Sequence, residues 1–315
     1  MDKLAVVAIG GNSLTRPGQR GTIPEQFENT RATSAVIADM IARGHEVVLT
    51  HGNGPQVGNI LLRAEMASSV LPPLPLDTCG ADSQGGIGYM LQQVLGTELR
   101  RRAIEKDVVT VLTQVVVDPN DPAFDEPSKP IGPFYSEEDV KRRRDEQGWA
   151  VMEDASRGWR RVVPSPMPVR IVEVGAIRAL LSAGCVVIGV GGGGIPVVES
   201  DGGLRGVEAV IDKDHASRLL ANQIGAGLFV ISTDVPQVAL HYGTDRETAI
   251  DEMTVEEAER YHREGHFPPG SMGPKVLAGI DFIRNGGGTV IITNPGSLGR
   301  ALDGETGTRI IRERE

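Results

Sequence analysis

Three glycine turns stand out in this chain: Gly10-Gly11-Asn12, Gly52-Asn53-Gly54 and Gly191 to Gly194. Each follows a short apolar run. Glycine lets the main chain come close to a ligand and turn its N–H groups toward an anion. In an open parallel sheet, ligands gather at the carboxyl ends of the strands. One such turn is ordinary, but three, two of them carrying asparagine, point to an anion site. Three lysines have unusual surroundings. Lys129 lies in Pro127-Ser128-Lys129-Pro130, Lys213 in Ile211-Asp212-Lys213-Asp214, and Lys275 follows Gly273-Pro274. An isolated lysine is usually a solvated surface charge, whereas these sit among Pro and Gly or at a helix start. Two unit charges 4 Å apart at an effective dielectric near 20 repel by about 4 kcal/mol. Ammonium groups, helix N-termini and Mg²⁺ offset such repulsion when a phosphoryl group passes between two anions. Asp214 can orient lysines by ion pairing, or simply be an acidic residue favoured in the first turn of a helix.

Other chemistries fit less well. Gly189 to Gly194 matches the letters of a dinucleotide fingerprint, but such a loop must open a helix, and Ile195-Pro196-Val197-Val198 follows instead. A Walker A loop needs Gly-Lys-Ser/Thr, and Gly270-Ser271-Met272-Gly273-Pro274-Lys275 is the nearest miss. His51 has no carboxylate or nucleophile beside it and reads as a satisfied, partly buried histidine. Cys79 and Cys185 read as core residues, and their wide spacing argues against a metal motif or a disulfide framework. The basic run Lys141 to Arg144 is flanked by Glu137, Glu138, Asp145 and Glu146, which suggests a solvated helix face. With no activated Ser, Cys or His, direct in-line transfer without a covalent enzyme intermediate is the expected route.

The elements that must hold these residues read as alternating strands and helices. Expected strands cover Leu4 to Ile9, Glu46 to Thr50, Val108 to Val117, Cys185 to Val190, Leu228 to Ser232 and Thr289 to Thr293. Expected helices run from about Glu25 to Arg43, Ile87 to Arg102, Ala176 to Ala183, Lys213 to Ile224 and Pro274 to Asn285. Thr254 and Glu257 make a capping box for a short helix. Strand, glycine turn, helix, strand is the pattern of a parallel sheet covered on both faces. Asp118 to about Pro168 breaks the rhythm. It is rich in proline, charge and rings, including Trp149 and Trp159, and reads as an insertion with its own small fold.

The 315 residues, 40% hydrophobic, suffice for one or two cores. A net charge of −10 argues against nucleic acid and anionic lipid as main partners. The opening residues lack a signal-peptide pattern, no apolar run is long enough to span a bilayer, and the two cysteines suit a reducing, cytoplasmic setting.

At these residues the sequence resembles the carbamate kinases of the amino acid kinase family. The shared stretches include Val7 to Asn12, His51 to Gly58, Pro75 to Cys79, Leu112 to Pro119 and Lys129 to Phe134. They continue with Gly158 to Pro166, Gly191 to Pro196, Val207 to Asp214 and Gly265 to Lys275, so the match runs nearly end to end. The resemblance implies an α/β fold, an αβα sandwich with a mostly parallel central sheet and a small protruding subdomain. It implies a substrate-binding lobe over 1–222 containing that subdomain at about 119–168, a nucleotide-binding lobe over 223–315, and a homodimer. The implied reaction is ADP + carbamoyl phosphate ⇌ ATP + carbamate with Mg²⁺, a step of arginine metabolism in which carbamate breaks down to ammonia and CO₂. The resemblance places the acceptor near Gly10, Gly11, Asn12, Gly52, Asn53, Gly54, Gly192, Gly193 and Gly194. It places Lys129 on a lid over that acceptor, Lys213 and Lys275 on the migrating phosphate with Asp214 organising them, and the nucleotide near Asp234, Tyr242, Ser271 and Met272. The chain departs from the family pattern at Asp234-Val235-Pro236-Gln237-Val238, where an Asp-Val-Asp is frequent. A sibling kinase such as an acetylglutamate kinase, or a nucleotide sensor without turnover, are the competing readings.

Overall fold

The computed structural model describes residues 3–16, 18–153 and 158–313. Met1, Asp2, Pro17, residues 154–157 of the expected insertion and the last two residues lie outside the described residues, as does the side chain of Asn12. The described residues form an eight-stranded sheet. Its order is Glu252–Thr254, Thr308–Ile311, Thr289–Thr293, Leu228–Ser232, Leu4–Ile9, Glu46–His51, Val186–Ile188, Val108–Thr110. Neighbours run parallel except Thr289–Thr293 with Thr308–Ile311.

The strands are apolar without alternation because both faces are covered. Val6, Ala8 and Phe229 point to one side and pack with Val276, Ile280 and Leu220. Ala5, Val7, Ile9 and Val230 point to the other and pack with Ile37, Met40, Leu91 and Leu95. The helices Lys213–Ile224 and Met272–Arg284 therefore cover one face, and Ile23–Ala42 and Leu76–Arg101 the other. This is a three-layer αβα arrangement. No described helix is long and apolar enough to cross a membrane.

Four expected segments, Leu4–Ile9, Lys213–Ile224, Leu228–Ser232 and Thr289–Thr293, have the expected bounds. The Thr254–Glu257 capping box forms in both directions. Two expectations need correction. The helix expected from Ile87 begins at Leu76, because its first turns bury Cys79, Ser83 and Gln84 rather than an apolar stripe. The single strand expected over Val108 to Val117 is two, Val108–Thr110 in the main sheet and Gln114–Val117 in a second sheet with Ile195–Ser200, Gly203–Gly206 and Pro168–Ile171. Gln84 makes that break possible. Its amide accepts from Thr113 N at 2.8 Å and donates to Thr113 O at 3.1 Å, satisfying the main chain where it leaves the sheet.

The insertion holds a three-stranded sheet, Lys129–Tyr135, Trp159–Val163 and Val151–Glu153, with the helix Glu137–Gln147. Trp149 is buried between the guanidinium groups of Arg143 and Arg161, at 4.6 and 4.7 Å, and meets Tyr135 edge-on. Arg161 also pairs with Glu65 at 2.6 Å on the helix Gly54–Met66. That helix, absent from the sequence reading, is the seat of the insertion. A Cβ built on Gly58 would lie 2.0 Å from Gly132 N, so main chain rests on main chain there.

Candidate active site

Two helix N-termini meet at one carboxylate. Asp212 caps the helix Lys213–Ile224, its Oδ1 accepting from Asp214 N at 2.8 Å. The cap fixes the first turn, so Asp214 sits inside it, buried at 2% exposure. Its Oδ1 accepts from Lys213 Nζ at 2.5 Å and its Oδ2 from Lys275 Nζ at 2.9 Å. Lys275 lies in the first turn of Met272–Arg284. The second oxygen of Asp212 accepts from Lys129 Nζ at 2.5 Å, which ties the insertion to the same point. Three ammonium groups against two carboxylates leave one net positive charge, next to two helix N-termini that also favour an anion.

The glycine turns frame this cluster. A Cβ on Gly52 would lie 3.2 Å from Lys213 Cδ and 4.0 Å from Gly11 N, so the lysine stem passes over the second turn and the first turn lies beside it. A Cβ on Gly10 would lie 2.9 Å from Ser232 O, at the end of the adjacent strand. Gly54 opens the helix Gly54–Met66 beside Pro130 O and the Arg160 guanidinium. The third turn plays a different part. Gly191, Gly192, Gly193 and Gly194 are all buried. Cβ atoms on the first three would strike His51, Asn53 and Ile211, within 2.3 Å in each case. These glycines pack against the second turn and behind the loop that leads to Lys213.

Burial and charge set the protonation states. Burial favours the neutral acid at Asp214, but Lys213 and Lys275 outweigh it and hold the carboxyl below its usual range. Asp212 is likewise held low by Lys129 against its burial. Burial and the neighbouring Lys275 pull Lys213 down despite Asp214. At Lys275 burial is outweighed by Asp214, and the pKa rises, with Asp234 contributing. His51, 1% exposed, is pushed down to about 4 by burial, with Lys213 adding to the effect. Cys79 is pushed up to about 11 by burial. Both stay neutral at pH 7, as a packing role requires.

A cavity of about 190 Å³ opens beside the cluster, lined by Thr233, Asp234, Val235, Gln237, Ala239, Tyr242, His266, Pro268, Ser271 and Met272. All four residues expected on the nucleotide side line it. His241 takes a left-handed φ of 53° just before Tyr242, which is 60% exposed at the mouth. Among the described residues, no group of three or more His, Cys, Asp or Glu could hold a metal ion.

A sequence model of the amino acid kinase family matches residues 3–294. The chain belongs to the amino acid kinase family. Similar members include a carbamate kinase of Pyrococcus horikoshii, 54% identical over 98% of this chain and 99% of that one. The carbamate kinase-like protein YahI of Escherichia coli is 51% identical over 99% of this chain and all of that one. A carbamate kinase from Giardia lamblia bound to AMP-PNP superposes with a TM-score of 0.91 at 42% identity, covering 99% of both chains.

In this amino acid kinase the structure brings together Lys129, Lys213, Asp214 and Lys275, and sets Gly10, Gly11, Gly52, Asn53 and Gly54 around them. Asn12 contributes its main chain to the 3₁₀ turn Gly11–Ser13. Asp212 was missed as a site residue, although an Asp just before a helix expected to start at Lys213 is a cap signal. Ser83, which accepts from Asn53 Nδ2 at 2.8 Å, carried no such signal. Its contact joins residues 30 apart in sequence.

Proposed function

We propose that this amino acid kinase is a carbamate kinase, catalysing reversible phosphoryl transfer between carbamoyl phosphate and ADP. The observation that carries the reading is Asp214 holding Lys213 and Lys275 on its two oxygens, with the stem of Lys213 laid over the turn at Gly52. Full-length identity to carbamate kinases supports the choice of acceptor. So does the presence of Lys129 on an insertion that reaches the cluster.

In the proposed mechanism a β-phosphate oxygen of ADP attacks phosphorus. The bond from phosphorus to the carbamate oxygen breaks, and its electron pair leaves with carbamate. Lys213 and Lys275 neutralise charge on the moving group, and Asp214 fixes their distance without taking part in bond making. Lys129 holds the carbamoyl end. The main-chain N–H groups near Gly10, Gly11, Asn53 and Gly54 receive the acceptor, the N–H of Gly52 being held by Ile9 O. Asp234, Tyr242, Ser271 and Met272 form the wall against which ADP lies. Mg²⁺ bound to the nucleotide phosphates would supply further charge neutralisation. A second copy of the chain fits the open edge strand Val108–Thr110, where Tyr89 and Leu112 are exposed.

The test is ATP formed from ADP and carbamoyl phosphate by the purified protein with Mg²⁺. Turnover above background is expected, and light scattering should give twice the monomer mass. Nucleotide binding without ATP formation would turn the reading to a sensor. Turnover only with a bulkier carboxylate acceptor would turn it to a sibling kinase.

A further inference from the structure

Asn53 stands at the N-cap of Gly54–Met66, yet its side chain makes no cap hydrogen bond. An asparagine there ordinarily caps the helix through its side-chain oxygen. This one is diverted. Its Nδ2 donates to Ser83 Oγ at 2.8 Å, and Ser83 Oγ donates to Gly80 O at 2.7 Å. A hydroxyl has a single hydrogen, and a main-chain carbonyl can only accept. With that hydrogen committed to Gly80, Ser83 can only accept from Asn53, so the amide nitrogen must face it. Gly192 then fixes the amide plane: a Cβ there would lie 2.1 Å from Nδ2 and 2.3 Å from Cγ, so no other residue leaves the amide room. Oδ1 is the one polar atom of the side chain with no described hydrogen bond; it lies farther from the Gly192 Cβ position, at 2.7 Å, than Nδ2 or Cγ, and it belongs to the residue next to Gly52, which itself lies against the Lys213 stem.

We propose that the relay from Asn53 through Ser83 to Gly80 makes Ser83 a positioning residue, one that presents an acceptor, Oδ1, to the acyl group of the substrate. An acceptor matches the N–H of a carbamoyl group and has no counterpart on an acetyl group of nearly the same shape. The relay therefore sets selectivity for carbamoyl phosphate over acetyl phosphate. A site built to bond a substrate N–H rejects an analogue that lacks it, because its own polar atom is left unpaired. This inference rests on the acceptor proposed above.

The test measures ATP formation from each of the two acyl phosphates by wild type, Ser83→Ala and Ser83→Thr. In Ser83→Ala the amide loses its fixed direction. The ratio of kcat/KM for carbamoyl over acetyl phosphate should fall about tenfold or more, the acetyl phosphate values staying within about threefold of wild type. Ser83→Thr keeps the hydroxyl and should keep the ratio. If Ser83→Ala does not fold, Ser83→Cys, a weaker donor and acceptor of similar size, should show a smaller fall in the same direction. An unchanged ratio in the folded variant, or an equal loss for both substrates, would overturn the relay and leave the kinase reading intact. Wild type inactive on both acyl phosphates would remove the kinase reading and this inference with it.

Discussion

Asp214 is a bracket between two ammonium groups that would otherwise repel each other in a site mostly closed to water. Side-chain exposure is 11% for Lys213, 16% for Lys275 and 2% for Asp214. Exposed ion pairs add little, but here each partner removed leaves a buried charge with less compensation. Replacing Lys213 or Lys275 by Ala should lower kcat by roughly 10²–10³, the loss expected for one preorganised donor aimed at transition-state charge. A change below a few-fold, by steady-state kinetics, would take that lysine out of the chemistry. His51 gives a pH prediction. Its folded pKa of about 4 lies below the ordinary 6.5, so the unfolded chain binds the extra proton between those values. Stability is thus fully present above about pH 6.5 and lost as pH falls toward 4, by up to about 3 kcal/mol. Urea midpoints at pH 7.5 and pH 5 should differ less in His51→Gln than in wild type.

At the scale of elements, the helix Gly54–Met66 seats the insertion and the helix Lys213–Ile224 receives its lysine. Lys129→Ala should raise KM or lower kcat for carbamoyl phosphate while leaving ADP affinity near wild type, as read by calorimetric titration of ADP. Unchanged carbamoyl phosphate kinetics would remove the lid role. Gly58→Ala probes the seat. An alanine at an exposed helix position stabilises by about 1 kcal/mol over glycine. At Gly58 the methyl meets Gly132 N at 2.0 Å, so destabilisation of about 2 kcal/mol and weaker carbamoyl phosphate binding are expected instead. Thermal unfolding and KM check both. What sequence revealed at this scale follows from physics. The segments Leu4–Ile9 and Leu228–Ser232 announce themselves through unbroken apolar runs, and Lys213–Ile224 through its acidic start and closing glycine. The helix Gly54–Met66 escaped because its glycine and proline opening reads as a turn, and because it buries only Val57, Gly58 and Leu61. Strands of three or four residues, such as Glu252–Thr254 and Thr308–Ile311, are too short to show a period. The three lysines were legible by type and surroundings. The Asn53–Ser83 contact was not, because no local pattern encodes it.

Across the whole molecule, the two halves of the chain share one sheet. Leu4–Ile9 has Glu46–His51 on one side and Leu228–Ser232 on the other, and both cores mix residues from the two halves. The full chain should therefore unfold in a single thermal transition. A fragment of residues 1–222 should show no cooperative unfolding by near-UV circular dichroism. Two resolved transitions would mean that the halves are separable. The same layout reconciles a net charge of −10 with an anion site: the ammonium groups of Lys129, Lys213 and Lys275 are gathered where two helices on one face of the sheet begin.

The position of Leu4–Ile9 bears on how the protein is made. This strand leaves the ribosome before either of its neighbours, and one of them is encoded more than two hundred residues later. At a translation rate of about 5–20 residues per second, that edge waits roughly ten to forty-five seconds for its partner. During that interval an apolar strand with unpaired main-chain groups is open to the nascent chains of adjacent ribosomes. Slower synthesis should thus lower the soluble yield unless a chaperone shields the nascent edge.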